Sequence, residues 1–120
     1  VLYADDMEIN REVVKMLLEG ENIEFFEASD GEEVLKMLEE IKPDVILMDI
    51  RMPKMDGYET AQVIKNDEKL KSIPVIALTA HAVKPEINKY GDIFDDYLTK
   101  PIMKNDLMVS FNKFFHKNSG

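Results

Sequence analysis

The sequence contains no cysteine among its 120 residues. It therefore offers no disulfide framework, no thiolate metal site and no cysteine nucleophile. It also lacks any apolar run near the roughly 18 residues that a membrane-spanning helix needs, and its start shows no signal-peptide pattern. From these absences we expect a cytoplasmic domain that makes no membrane contact of its own.

Positive charge is scarce in this chain. Lysine and arginine number 15 against 24 acidic residues, which gives a formal net charge of −9. Nucleic-acid backbones bind basic surfaces, so this balance argues against nucleic acid as a direct ligand. The chain also has no low-complexity segment, no linker and no internal repeat. Its length favours one domain over residues 1–120, and because the sequence opens inside a strand-like run, we expect upstream residues to be missing.

Short apolar runs alternate with amphipathic segments of helical length. This alternation is typical of repeated βαβ units around a parallel sheet. We predict strands at residues 1–4, 23–28, 45–48, 75–78 and 96–99. We predict five helices, at about residues 8–19, 29–38, 57–66 and 85–90 and in the segment that contains Leu107 and Phe111. The fold class is therefore α/β.

Three helix boundaries have specific signals. In the first helix, apolar side chains recur at helical spacing, and Gly20 is a plausible stop at about Glu19. Ser29 and Glu32 form a capping-box pattern before the second helix. Asp56 is a good N-cap for the third helix, with Glu59 three residues later.

Acidic residues follow two of the predicted strands. Asp5 and Asp6 end the first run, and Asp49 ends the run Val45 to Met48. The carboxyl ends of parallel strands share one edge, where ligands bind in open α/β sheets. Like charges gathered there disfavour one another's ionised forms, so a cation must lie near them. The candidates are a divalent metal and Lys100, which follows the last predicted strand.

Each of these residues also has an ordinary structural interpretation. Asp5 or Asp6 could simply cap the following helix, and Thr79 could be a β-branched residue at the end of a strand. Lys100 could be a solvated surface lysine, and Pro101 an ordinary trans proline, since about 5–6% of X-Pro bonds in folded proteins are cis. The helix-cap interpretation is weaker for Asp49, because the next good helix start comes only at Asp56.

The sequence contains, in this order, the fragments Asp5-Asp6, Asp49, Met52-Pro53, Met55-Asp56-Gly57, Thr79-Ala80 and Lys100-Pro101. Taken together, they resemble the receiver domain of bacterial two-component response regulators. Each fragment alone is weak, but they occur in order over essentially the whole chain. The resemblance implies a doubly wound, flavodoxin-like parallel sheet of order 2-1-3-4-5 flanked by five helices. It also implies that Asp49 accepts a phosphoryl group from a histidine on a partner protein.

The resemblance also implies the roles of the site residues. Mg²⁺ is held by Asp5, Asp6, Asp49 and the backbone carbonyl of Arg51, with Asp5 acting mainly through a metal-bound water. Thr79 and Lys100 contact the phosphoryl oxygens, and a cis bond at Pro101 aims the lysine. Such a domain catalyses its own phosphorylation and dephosphorylation without being a conventional enzyme.

Signalling by such a domain needs a phosphoryl donor and a responsive surface. The implied donor is a histidine kinase or a histidine phosphotransfer domain. Movement of Thr79 frees space for Tyr97, which changes the surface formed by the fourth and fifth predicted helices and the fifth strand. Arg51 and His81 lie two residues beyond Asp49 and Thr79, so we expect them to set the lifetime of the phosphoryl group, with Arg51 shielding it and His81 either blocking or orienting the hydrolytic water. The alternative is that both side chains simply point into solvent.

The kind of receiver and two rival functions stay open on the sequence. Asn10-Arg11 and the segment from Thr79 to Ala82 look most similar to receivers of hybrid histidine kinases, and the alternatives are a stand-alone regulator or one detached from an output domain. Phe94 departs from the usual pattern. A degenerate receiver could serve only as an interaction module. A phosphatase of the haloacid dehalogenase type would need a second aspartate where this chain has Arg51.

Overall fold

Five short strands form one parallel sheet. The computed structural model describes residues 1–21, 23–50, 52, 55–79, 93–100 and 102–119. The strands are β1 (Leu2–Ala4), β2 (Phe26–Ala28), β3 (Ile46–Asp49), β4 (Val75–Thr79) and β5 (Asp96–Thr99). Their order across the sheet is β2-β1-β3-β4-β5, with every neighbouring pair parallel. The doubly wound, flavodoxin-like fold predicted from the sequence is confirmed.

Helices connect or follow these strands. They are α1 (Glu8–Leu17), α2 (Gly31–Met37), α3 (Gly57–Asn66) and a last helix over Lys104–Ser119. The predicted helix at about residues 85–90 lies outside the described residues, so the described part of the chain holds four of the five predicted helices. Within that part, no helix is both long and apolar enough to cross a membrane.

Local hydrogen bonds correct two predicted helix boundaries. The first helix ends at Leu17 rather than Glu19, and the chain then reaches Gly20, whose φ of 91° favours glycine. The N-cap of α2 is Asp30 rather than Ser29, because the Asp30 carboxylate accepts from the backbone N–H of Glu33 at 2.9 Å. The Glu33 carboxylate accepts from the N–H of Ser29, the residue before the N-cap, at 2.9 Å, so the cap lies one residue later than predicted.

The second strand is shorter than predicted. It begins at Phe26 instead of residue 23, and its three residues pair with the three residues of β1. Since β2 is at the edge of the sheet, β1 is its single strand neighbour and limits its length. The third helix, in contrast, begins after Asp56 as predicted, with the Asp56 carboxylate accepting from the N–H of Glu59 at 2.9 Å.

Apolar clusters cover both faces of the sheet. Successive side chains of a strand point to opposite faces, so Leu2 and Ala4 join the cluster that packs with α2 and α3. Tyr3 joins the other cluster, with Val14 of α1 and Phe111 of the last helix. Because of this alternation, successive residues of one strand reach the carboxyl edge of the sheet from opposite faces.

The outer side of α1 is apolar and exposed. The helix buries Val14, and Leu18 just beyond its end is also buried. Its exposed apolar side chains are Ile9 at 64%, Val13 at 45% and Met16 at 69%. Some of the apolar side chains whose spacing predicted the helix therefore face away from the core.

Candidate functional site

The carboxyl edge of the sheet gathers the three acidic residues that the sequence singled out. Ala4 pairs with Met48 across β1 and β3, so the next residue of each strand, Asp5 and Asp49, emerges at the same edge. One carboxylate oxygen from each of Asp5, Asp6 and Asp49 lies within 4.8 Å of the others. Asp5 and Asp49 are buried and Asp6 is exposed, so the cluster has two fixed members and an open side.

Lys100 reaches into this cluster from the end of β5. Its Nζ donates to Asp49 Oδ2 at 3.0 Å and lies 3.4 Å from Asp5 Oδ2. Its backbone N–H donates to the carbonyl of Thr79 at 2.8 Å, which anchors the base of the side chain. Burial disfavours the charged amine, but the hydrogen bond and negative charge of Asp49, helped by Asp5, outweigh it and raise the pKa of Lys100. The lysine is therefore a firmly charged partner.

Tyr3 supports the site from inside the sheet, a role that the sequence analysis missed. Its hydroxyl donates to Asp5 Oδ2 at 2.9 Å, and the N–H of Met7 donates to Asp5 Oδ1 at the same distance. Burial first, and then the negative charge of Asp5, raise the pKa of Tyr3 and keep it a donor. The available signal was spacing, because residues two apart on a strand share a face.

Arg11 and Gly57 also shape the site without having been predicted to do so. Arg11 donates from Nη1 to the carbonyl of Asp5 at 2.6 Å and from Nε to Glu27 at 3.1 Å, which ties β1 to β2. A Cβ on Gly57 would lie 2.6 Å from the carbonyl oxygen of Asp49, so glycine permits α3 to begin directly against the end of β3.

The acidic cluster fits a hydrated Mg²⁺ ion. Mg²⁺ prefers oxygen ligands, binds through few carboxylates and keeps several waters. Asp5, Asp6 and Asp49 supply carboxylate oxygens within reach of one another, and the exposure of Asp6 gives a hydrated ion access. Lys100 contributes one positive charge against three carboxylates, so the group retains an excess of negative charge.

The structure describes some of the remaining predicted site residues but not all of them. Thr79 ends β4 opposite Thr99 of β5 and is half-buried. The half-buried ring of Tyr97 contacts that of Phe94 edge-on, with centroids 5.7 Å apart. Phe94 is buried and also contacts Tyr58, so the unusual phenylalanine is part of the core. Arg51, His81 and Pro101 lie outside the described residues.

Comparison with known proteins agrees with this geometry. A family model described as the response regulator receiver domain matches residues 1–112. The polar-differentiation response regulator DivK of Brucella anthropi is 37% identical over 105 residues, which cover 85% of this chain and 84% of that protein.

Solved receiver domains share the fold. The receiver domain of a signal transduction histidine kinase from Syntrophus aciditrophicus has a TM-score of 0.87 and 28% identity, covering 97% of this chain and 89% of that one. The receiver domain of a sensor histidine kinase from Pseudomonas aeruginosa, described with magnesium coordinated in its active-site cleft, has a TM-score of 0.84 and 30% identity, covering 94% and 93%. This chain therefore belongs to the response regulator receiver domains of two-component signalling systems.

Proposed function

We propose that residues 1–120 form one receiver domain that takes a phosphoryl group onto Asp49 from a phosphohistidine. The donor is a histidine kinase or a histidine phosphotransfer domain. The observation that carries the proposal is the placement of the Asp49 carboxylate, which lies beside two further carboxylates and accepts a hydrogen bond from Lys100 at 3.0 Å. The proposal includes the cytoplasmic location and the absence of direct nucleic-acid contact expected from the sequence.

The chemistry follows from the residue types. A carboxylate is already ionised near neutral pH, so Asp49 can attack phosphorus without a general base. A P–O bond to Asp49 forms while the P–N bond to the donor histidine breaks, and the electron pair leaves with the imidazole. Lys100 and the Thr79 hydroxyl donate to the phosphoryl oxygens, where charge in a loose transition state is concentrated.

Asp5, Asp6, Asp49 and the carbonyl of Arg51 are the proposed ligands of Mg²⁺. Bound there, the ion would supply positive charge to the phosphoryl oxygens and offset repulsion by the carboxylates. Arg51 and His81 keep their proposed role in the lifetime of the phosphoryl group.

Thr79 and Tyr97 are the proposed switch residues. Thr79 ends β4, and Tyr97 belongs to the neighbouring strand β5. Inward movement of Tyr97 would have to change the contact between its ring and that of Phe94.

Incubation with acetyl phosphate and MgCl₂, followed by intact mass spectrometry, tests the phosphoacceptor. The wild-type protein should gain one phosphoryl mass, and Asp49→Asn should gain none, since the amide is no nucleophile. Asp44→Asn is the matched control, because exposed Asp44 precedes the amino end of the same strand. Phosphorylation of Asp49→Asn at the wild-type rate would refute the assignment.

We place the histidine-bearing helix of the partner against the exposed side of α1. The helix begins at the site, because the N–H of Met7, its N-cap residue, donates to Asp5. Its exposed apolar side chains are Ile9, Val13 and Met16. An amphipathic partner helix could cover this stripe while its histidine approaches Asp49.

A protein donor and a small-molecule donor separate docking from chemistry. Val13→Glu should slow phosphotransfer from a phosphorylated histidine phosphotransfer domain, yet leave labelling by acetyl phosphate unchanged. Val109→Glu on the last helix is the control, since Val109 is also an exposed helical valine, at 59%. Equal transfer rates for the two variants would exclude this docking surface.

An interaction module without phosphorylation is the second candidate. It would bind partners through the same surfaces but show no mass gain with acetyl phosphate. The aspartate-nucleophile phosphatase is disfavoured, because the chain belongs to the receiver family.

A further inference from the structure

The hydroxyl group of Tyr3 is a polar group in an apolar strand. Val1, Leu2 and Ala4 around it are buried and apolar, and Tyr3 itself has no exposed surface. A phenylalanine would fill the same space, so packing alone does not account for the hydroxyl. Its hydrogen bond goes to Asp5 Oδ2 at 2.9 Å. We propose that Tyr3 is a positioning residue that holds the Asp5 carboxylate for a divalent cation, an inference that rests on the metal site of the proposed function.

Three donors surround the Asp5 carboxylate. The N–H of Met7 binds Oδ1 at 2.9 Å, while the Tyr3 hydroxyl and Lys100 Nζ share Oδ2 at 2.9 and 3.4 Å. Asp5 is 0% exposed, so its carboxylate takes its hydrogen bonds from these protein donors. Hydrogen bonds of this kind, to carboxylates that bind metals, fix ligand orientation, and removing them typically weakens metal binding about 10–100-fold.

The hydroxyl also limits how tightly Lys100 pairs with Asp5. Lys100 lies closer to Asp49, at 3.0 Å, than to Asp5, at 3.4 Å. Without the hydroxyl, Asp5 Oδ2 would keep the lysine as its remaining described partner and turn toward it. A closer internal ion pair competes with an incoming cation for the same carboxylate. Loss of the hydroxyl should therefore weaken cation binding.

Tyr3→Phe isolates the hydroxyl from the ring. The ring packs in the core and stacks on Phe25 with centroids 6.2 Å apart, a contact that phenylalanine retains. Ser110→Ala is a matched control, because Ser110 is also buried and its hydroxyl also donates to a carboxylate, Asp96, at 2.6 Å. That pair lies at the opposite end of the sheet from Asp5.

Metal binding to the phosphate-free protein can be measured by calorimetric titration with MgCl₂ and by electron paramagnetic resonance of free Mn²⁺. We expect Tyr3→Phe to raise the Kd of both ions about 10-fold or more, and Ser110→Ala to leave both values unchanged. If the role of Tyr3 were purely structural, Tyr3→Phe would behave like Ser110→Ala. It would lower the melting temperature in EDTA and leave the Kd of both ions unaltered.

A double-mutant cycle tests whether Tyr3 acts through Asp5. In an Asp5→Asn background, Tyr3→Phe should change the Kd by less than it does in the wild type. An unchanged Kd in Tyr3→Phe, or an equal loss in the two backgrounds, would overturn the inference while leaving the metal site intact. Failure of the wild-type protein to bind either ion would overturn both.

A spectroscopic measurement on the unmutated chain covers the case in which Tyr3→Phe does not fold. Tyrosines labelled with an NMR-active carbon at Cζ report on the hydrogen bond of each hydroxyl. The Tyr3 signal, assigned by Tyr→Phe substitution of the other tyrosines, should shift when MgCl₂ is added. A Tyr3 signal that stays in place while the metal binds would count against the proposal.

Discussion

Carboxylates lie near both ends of β5. They have the same kinds of partner at the two ends, but the balance of charge differs. At the amino end, Asp96 accepts from the Ser110 hydroxyl at 2.6 Å and from Lys113 at 3.2 Å. Its neighbour Asp95 pairs with Lys65 at 2.7 Å. Each acid there has a lysine of its own, and the pairs join β5 to the last helix and to α3.

At the carboxyl end, one lysine serves several acids. Lys100 pairs with both Asp5 and Asp49, and the carboxylate of Asp6 lies close to them. Repulsion among the remaining charges favours binding of a further cation. A hydroxyl, a carboxylate and a lysine can therefore stabilise a fold or prepare a binding site, depending on the number of acids per lysine.

Replacing Lys100 should have the largest effect of the changes at the two ends of β5. Lys100→Met should slow labelling by acetyl phosphate about 100-fold, because a donor to the transferring group is lost. It should also tighten Mg²⁺ binding, since the lysine no longer competes for the carboxylates. Lys113→Met, the same change of charge at the other end, should alter neither the rate nor the Kd. Mass spectrometry and calorimetry supply the two measurements, and a wild-type labelling rate in Lys100→Met would contradict the role of the lysine.

Magnesium should stabilise the domain through residues at the carboxyl end alone. At a concentration about 100 times its Kd, the ion should add about 2.7 kcal/mol to the free energy of unfolding. Asp6→Ala should shrink this increment, whereas Asp95→Ala should lower stability with and without the ion by the same amount. Urea unfolding in EDTA and in MgCl₂ measures both effects. An increment that Asp6→Ala leaves intact would remove Asp6 from the metal site.

Much of the carboxyl end could be predicted because local patterns determine it. Alternating strand and helix segments imply parallel strands, and parallel strands bring their ends to one edge. Asp5, Asp6, Asp49 and Lys100 therefore meet as the strand order requires. The cap at Asp56 was also predictable, since its partner Glu59 lies three residues away.

Other features depend on tertiary packing, or on a choice between two equally good local signals, and escaped prediction. Asp96 and Ser110 are fourteen positions apart, and their contact depends on how the last helix docks on β5. Periodicity identified α1 but not which apolar side chains it buries, because a stripe on the outer side has the same spacing. Ser29 and Asp30 are both good N-caps, and the choice between them rests on one hydrogen bond to Glu33.

Removing the Ser110 hydroxyl should weaken the amino end without changing the carboxyl end. Ser110 is buried, and its bond to a charged carboxylate predicts a loss of about 2 kcal/mol in Ser110→Ala. The Mg²⁺ increment and the labelling rate should stay at wild-type values, since the proposed metal and phosphoryl sites are at the other end of the sheet. A parallel loss of Mg²⁺ affinity would show that the two ends of β5 are coupled.

Lowering the pH should remove the contribution of the Asp96 charge to the stability of the fold. Burial opposes its charge, but hydrogen bonds from the Ser110 hydroxyl, the Tyr97 N–H and Lys113 outweigh burial and hold the pKa of Asp96 below its ordinary value of 3.8. A carboxyl with a lowered folded-state pKa adds stability above its unfolded pKa and loses it as the pH falls through the folded pKa. Asp96→Asn should therefore be less stable than wild type near pH 6. We expect a difference of about 1 kcal/mol, because solvent screens the exposed Lys113.

Urea unfolding in EDTA between about pH 6 and pH 3 measures this difference without metal binding at the other end. The stability gap between wild type and Asp96→Asn should narrow as the pH falls below about 4, where Asp96 of the unfolded chain begins to take up its proton. Ser110→Ala should show a smaller pH dependence than wild type, because the hydroxyl is the largest single interaction that lowers the pKa of Asp96. A gap that stays constant over the whole range would mean that the charge of Asp96 does not stabilise the fold.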